Sequence, residues 1–321
     1  MSPLPELKPS APDCGISPLI EQDNPFHSRL LALRRAAGRS LADGFGPLRP
    51  LKRGSLAGLL IALLFAGGAA AASAPVSAAN VRLLGHLDIE GGGMVDVQGD
   101  LAAVGHMGPP HATTLIDVAD PARPRILSRI PVRPGTHSHK ARLCGATLAI
   151  NVEQYGGGDG TTGLALFDVG DPRRPREIAY YRMGGLSTGG TGVHRFQMDC
   201  GRRLIYASGS ADGFAGNFVR IIDIADPARP QEVGRWSMPG QQLAGGEMSA
   251  SGGSHRVHHP LRLGDRLYVS LWYGGFAILD ISDIARPRLV SRVSDRPESG
   301  APTHTALPVG HRILGRNWLV V

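Results

Sequence analysis

The sequence predicts an all-β chain built from repeated four-stranded antiparallel sheets, and three observations carry that prediction. First, 44 Gly and 25 Pro occur among 321 residues without a three-residue period. Both residues are costly inside helices and at home in turns. Second, the chain is 42% hydrophobic and only 19% charged, too apolar to be disordered throughout. Third, one motif recurs four times. It reads Leu115-Ile116-Asp117-Val118-Ala119-Asp120-Pro121-Ala122-Arg123-Pro124, returns as Leu166 to Pro175 and as Ile221 to Pro230, and appears a fourth time as Leu279 to Pro287 with Ile284 where the first Pro stood. The leading residues Asp117, Asp168, Asp223 and Asp280 are 51, 55 and 57 residues apart.

Each unit has one grammar. An apolar strand runs into a Gly-containing turn such as Gly99-Asp100 or Gly264-Asp265. A second strand follows, at Leu101–Val104, Leu148–Val152, Leu204–Ala207 and Leu267–Leu271, and a loop leads to a third strand ending in the Asp motif. The Asp accepts backbone N–H groups in an Asx-turn, and Pro supplies the bend without removing a ladder donor. A fourth strand comes next, as at Arg125–Ile130 or Glu232–Trp236. Four short strands per ~50 residues is the pattern of a β-propeller blade. Four blades are recognisable, with an incomplete fifth formed by Thr303–Val309 and Asn317–Val321. Val81–Leu87 reads as an outer strand with no blade before it and no third strand to close against. A truncated copy of a longer propeller is therefore expected, with a compact four-blade closure as the alternative.

The propeller domain is assigned to residues 79–321. Ahead of it, Lys52 and Arg53 precede the apolar run Leu56–Phe65 and then small residues, with Val76-Ser77-Ala78 as a cleavage site. Residues 48–78 thus read as a secretory signal peptide, and the protein is expected to be periplasmic or secreted. A membrane is involved only if this segment stays uncleaved, because its strongly apolar part falls short of the ~20 residues of a spanning helix. Residues 1–47 read as a disordered or mis-started extension, the true start lying near Leu48 or Leu51.

The net charge of +7 is spread along the chain, much of it as Arg beside Pro in the repeated turn. No aromatic-plus-basic surface accompanies it, so nucleic acid is excluded as a partner. After export Cys144 and Cys200 remain, each before a Gly in the equivalent turn of successive repeats. Equivalent turns are expected to stand farther apart than the ~6 Å a disulfide needs, so two free thiols are expected.

Candidate chemistry lies in the histidines. His139, His194 and His258 stand nine or ten residues before the second strand of their units, and His304 opens the next. They begin the innermost strands, so four imidazoles are expected to converge at one end of the central channel. His259 neighbours His258. His137 is expected to point to the opposite side of its strand from His139. The loops after the second strands bring His106, His111, Glu153 and Asp212 to the same face, and the long connection 240–257 adds Glu247 as a base or a further ligand. Neutral imidazoles with a carboxylate suit Cu, Zn or Fe and also serve acid–base chemistry. The alternative is a set of structural histidines inherited with the repeat. No P-loop, His-Glu-x-x-His or Cys-x-x-Cys occurs. Trp236, Trp272 and Tyr273 read as packing between blades, with Trp272-Tyr273 lining the channel mouth as the alternative.

The fourfold motif resembles the LVIVD-repeat family of secreted or surface bacterial β-propellers. That resemblance covers the chain from about residue 80 onward and implies fold more than activity. A fainter likeness, carried by His137-Ser138-His139 and the loop Gly156-Gly157-Gly158-Asp159-Gly160, is to the selenium-binding protein and methanethiol oxidase propellers. Two functions follow. One is a binding or scaffold propeller that takes a protein, peptide or small-molecule ligand at the channel face. The other, implied by the second likeness, is a metal-dependent periplasmic oxidoreductase.

Overall fold

A computed structural model of the chain describes residues 81–158, 160–243, 246, 256–294 and 301–321. The signal segment, the N-terminal extension and Glu247 lie outside the described residues. Among the described residues no helix is long and apolar enough to cross a membrane.

The fold is an all-β propeller of four-stranded antiparallel blades. The first blade is β1 (Gly92–Gln98), β2 (Leu101–His106), β3 (His111–Asp117) and β4 (Arg125–Pro131), hydrogen-bonded in sequence order. The second has a divided first strand, β5 (Thr136–His137) and β6 (Ala141–Cys144), then β7 (Thr147–Gln154), β8 (Gly163–Asp168) and β9 (Arg176–Arg182). The third is β10 (Val193–Asp199), β11 (Leu204–Gly209), β12 (Phe218–Asp223) and β13 (Gln231–Trp236). The fourth is β14 (Pro260–Leu263), β15 (Arg266–Ser270), β16 (Phe276–Asp280) and β17 (Arg288–Val293). A short pair, β18 (Leu307–Pro308) with β19 (Leu319–Val320), begins a fifth.

The repeated motif builds two Asx-turns in each blade. Asp117 Oδ1 accepts Ala119 N–H at 3.0 Å and Asp120 Oδ1 accepts Ala122 N–H at 3.0 Å. The same pairs recur at Asp168 and Asp171, Asp223 and Asp226, and Asp280 and Asp283. The replacement of the first Pro by Ile284 leaves the geometry intact, because the Asp side chain holds the turn.

Second and third strands are almost wholly buried and supply the cores between blades. One core joins the first and second blades through Leu115, Ile130, Leu148 and Phe167. Another joins the second and third through Leu164, Leu166, Phe196 and Ile222, and a further one the third and fourth through Tyr206, Ile221, Leu267 and Leu279. First strands lie side by side from blade to blade, in the order β1, β6, β10, β14, β18. Polar side chains tie them together away from the histidines. Asp96 accepts Leu143 N–H at 2.7 Å, Gln98 accepts Gly145 N–H at 3.0 Å, and Gln197 accepts Arg262 N–H.

Two expectations are corrected here. Cys144 and Cys200 form a disulfide, with Cα atoms 5.6 Å apart. First strands of successive blades are close neighbours along their length, so their terminal turns stay within bridging reach. Val81–Leu87 forms no strand, and Val81 and Leu83 are exposed. Among the described residues β18 and β19 have no third strand for it to join. Instead Leu87 and Ile89 pack on Ala102, Val104 and Ile116 of the first blade.

Candidate metal centre

The site is built on a backbone irregularity that every blade repeats where its first strand begins. In the third blade Val193 pairs with Gly209 and Phe196 with Ala207, so His194 and Arg195 together oppose Ser208 alone. In the first blade Gly93 and Met94 oppose Gly105. In the second, Ser138, His139 and Lys140 oppose Asn151 and Val152. In the fourth, His258 N–H bonds Ser270 O and Ser270 N–H bonds His259 O. Such a β-bulge breaks strict alternation and re-aims side chains.

The residue opposite each bulge fastens the next blade. Asn151 Nδ2 donates to Val193 O at 3.0 Å and to His194 O at 3.3 Å, and its Oδ1 accepts Lys140 N–H at 2.8 Å. Ser208 Oγ donates to Val257 O at 2.6 Å, and Ser270 Oγ to His304 O at 2.8 Å. Gly105 fills the same role by having no side chain, since a Cβ there would meet the His139 carbonyl carbon at 2.5 Å. The histidine segments are thus set by buried polar bonds from the preceding blade.

The imidazoles converge as a chain around Glu153, at the end of β7. His137 Nε2 lies 3.1 Å from Glu153 Oε2, and His139 Nδ1 lies 3.6 Å from it. His194 Nδ1 donates to Glu153 at 2.7 and 2.9 Å. On its other side His194 Nε2 meets His258 Nε2 at 2.8 Å, and His258 Nδ1 donates to His304 O at 2.5 Å. Nitrogen and oxygen atoms of His137, His139 and Glu153 lie within 4.8 Å of one another. Two imidazoles and a carboxylate form a donor set suited to a first-row transition metal. The His194 side chain is 27% exposed, so solvent reaches the set.

Electrostatics separates the members. Burial, helped by the charge of Lys140, holds His139 well below the ordinary histidine value, and burial does the same to His258 with help from His194 and Arg195. Both rings are therefore neutral, the form that ligates a metal. Burial alone would raise the Glu153 carboxyl. The charge of His194 and hydrogen bonds from His137 and His194 outweigh it and hold the group well below the usual carboxylate range.

Not every candidate joins. His106 spends both ring nitrogens on structure, at 2.9 Å from Glu90 O and 2.8 Å from Thr114 Oγ1, and His111 only abuts it at 5.8 Å between rings. Asp212 accepts Gly185 N–H at 2.7 Å. His304 approaches through its carbonyl and ring, 4.1 Å from the His258 ring, while its Nε2 faces Arg195. His259 is fully buried, and neither of its ring nitrogens bonds another histidine. His137 joins, contrary to its expected direction, because the first strand divides between β5 and β6 and its ring stacks on His139 at 4.5 Å. Aromatic rings flank the set: Tyr155 stands 5.2 Å from His137 and Trp272 4.9 Å from His258. Trp272 takes φ 53°, a left-handed conformation uncommon for a bulky residue. It faces the histidines His258 and His304, the alternative position to inter-blade packing.

The LVIVD repeat matches this chain at residues 213–237 and 263–295. The chain is similar in structure to the N-terminal domain of Nup159, at 10% identity and TM-score 0.39 over 67% of this chain and 51% of that one. It is also similar to a putative 6-phosphogluconolactonase from Bacteroides uniformis, at 8% identity and TM-score 0.44 over 64% and 53%. A third likeness is to a hypothetical selenium-binding protein from Sulfolobus tokodaii, at 14% identity and TM-score 0.32 over 61% and 59%. The matches span between half and three-fifths of those structures' own lengths. No curated protein sequence matches the chain.

Proposed function

We propose that this LVIVD-repeat chain is an exported binding propeller in which His194 and His258, backed by Glu153 with His137 and His139, hold a transition metal at the face where the first strands begin. The observation that carries the reading is the His194–His258 contact. His194 Nδ1–H is committed to Glu153 and His258 Nδ1–H to a backbone carbonyl. Such partners fix the tautomer of a metal-ligating histidine. With both Nδ1 atoms so committed, the two Nε2 atoms face each other at 2.8 Å. That arrangement calls for a proton or a metal between them. Cu, Zn and Fe all accept imidazole, and a bound ion supplies Lewis acidity or a redox centre. Glu153 orients His194, and the exposed edge of His194 leaves an approach for a protein, peptide or small-molecule ligand.

Export is supported by the Cys144–Cys200 bridge, because such bonds persist in oxidising compartments. The second reading is a metal-dependent oxidoreductase, favoured by the solvent-open edge of the histidine set and the aromatic walls of Tyr155 and Trp272.

The test is calorimetric titration of metal-stripped, tag-free protein with Cu, Zn and Fe(II), against His194→Ala and Glu153→Gln variants. One equivalent bound by the parent, and weakened at least tenfold in both variants, is the expected result. Uptake indifferent to both substitutions overturns the assignment.

A further inference from the structure

The connection between the second and third blades and the loop after β11 line a cavity of about 520 Å³ at the end where the first strands begin. That volume falls among those of small-molecule sites, and its walls are held by bonds between loops. Ser210 Oγ donates to Gly184 O at 2.6 Å, Thr188 Oγ1 to Phe214 O at 2.5 Å, and Gly216 N–H to Thr188 O at 2.9 Å. Thr162 Oγ1 donates to Met183 O at 2.8 Å, and Met183 N–H returns a bond to Thr162 O at 2.9 Å. The same stitching sets Asp212. Its Oδ1 accepts Gly185 N–H at 2.7 Å, and a Cβ at Gly184 would meet the carboxylate at 2.6 Å, so only glycine there lets it lie on the loop. The other charge in the lining is Arg182. The two form no ion pair with each other, and among the described residues neither the Arg182 guanidinium nor Asp212 Oδ2 has a partner. Two opposite charges in one preformed cavity, each open to a ligand, call for a molecule that carries both.

We propose that this cavity takes a free amino acid, its α-ammonium group donating to Asp212 and its carboxylate accepting from Arg182. Charge-assisted bonds of this kind are about twice as strong as neutral ones. A simple anion would leave Asp212 facing a like charge, a simple cation would do the same to Arg182, and a sugar would answer neither charge. Thr161 and Ser187 add hydroxyls to the lining, while Met183 and Leu186 give the amino-acid side chain an apolar wall. Because the loops are already tied together, little ordering is left to oppose binding. The cavity adjoins the histidine site through Gly192, which bridges to Glu153 and lies against Thr162. It shares no residue with the metal reading and does not depend on it.

The experiment titrates metal-stripped, full-chain protein with the twenty common amino acids, reading the heat of binding and the thermal midpoint. Each amino acid that binds is compared with its N-acetyl derivative, which lacks the ammonium charge, and its methyl ester, which lacks the carboxylate. Saturable binding of at least one amino acid is expected, with affinity at least tenfold weaker for both derivatives and in both Asp212→Asn and Arg182→Gln. These two side chains are exposed, so the variants are expected to fold. Gly184→Ala, which displaces the Asp212 carboxylate, is expected to weaken binding as well. Binding by no amino acid, derivatives that bind as tightly as their parents, or parent-like affinity in the Asp212 and Arg182 variants overturns the proposal. Because the protein is stripped of metal throughout, the result is separate from that of the metal titration.

Discussion

Removing the Cys144–Cys200 bridge perturbs the fold at the end of the first strands away from the histidines. The two cysteines are separated by 56 residues in sequence. Closing a loop of that length removes about 14 cal/mol/K of denatured-chain entropy, or roughly 4 kcal/mol at 25 °C. That is about a thousandfold in the unfolding equilibrium and a large share of the 5–15 kcal/mol typical of a folded protein. The assay is urea unfolding of the parent, the parent with reductant, and a Cys144→Ser/Cys200→Ser variant. Reduced parent and variant are expected to share a midpoint well below that of the oxidised parent, with metal uptake unchanged. Coincident midpoints for all three would show that the cysteines are not bridged in the folded protein, and the support they lend to export would go with them.

Three further outcomes are expected. Gly105→Ala places a Cβ against backbone atoms of His139 and Lys140 at 2.5 to 2.8 Å; with no flexible side chain to yield, it is expected to cost about 1–3 kcal/mol and to weaken metal uptake, read by thermal midpoint and titration. Acid is expected to destabilise in two stages, followed by urea midpoints from pH 7.5 to 3. His139, His258 and His259 are depressed mainly by burial, so the unfolded chain binds more protons below about pH 6.5 and stability falls from there. Asp117, Asp168, Asp226 and Asp280 are depressed by backbone and Arg hydrogen bonds, so their contribution is full above about pH 4 and is lost as pH falls through the folded values. A flat profile between pH 7 and 5 would contradict the buried neutral histidines. Finally, Cu(II) is expected to quench the fluorescence of Trp272, 4.9 Å from His258, and Trp272→Phe to remove most of that quenching.

The blade repeat was legible because its information is local. An Asp that caps its own turn two residues on, followed by Pro, needs no tertiary partner to be recognised, and Asp280 shows the turn surviving without the first Pro. Alignment by blade also placed His139, His194 and His258 at one end of neighbouring strands, where the structure has them. What failed depended on departures from regular strands. Alternation sent His137 away from His139, but the bulge between β5 and β6 cancels the alternation. Glu153 was placed at the histidine face without a ligand role of its own, because no sequence pattern shows which carboxylate three imidazoles from two blades will share; Glu247, assigned as base, lies outside the described residues. The disulfide was missed because blade spacing was judged from the repeat as a whole, and only the crowding of first strands brings Cys144 to Cys200. Asn151, Ser208 and Ser270 carry a signal that could have been read: a small polar residue in an apolar second strand at the same offset from the Asp motif.

The most direct test of the account is elemental analysis of tag-free protein purified from the exported fraction, beside a His194→Ala/His258→Ala variant. The account expects one transition metal per chain in the parent and none in the variant, with both folded. Metal-free parent that takes up neither Cu, Zn nor Fe(II) on addition would contradict it, leaving the facing imidazoles joined by a shared proton and the histidines as part of the frame.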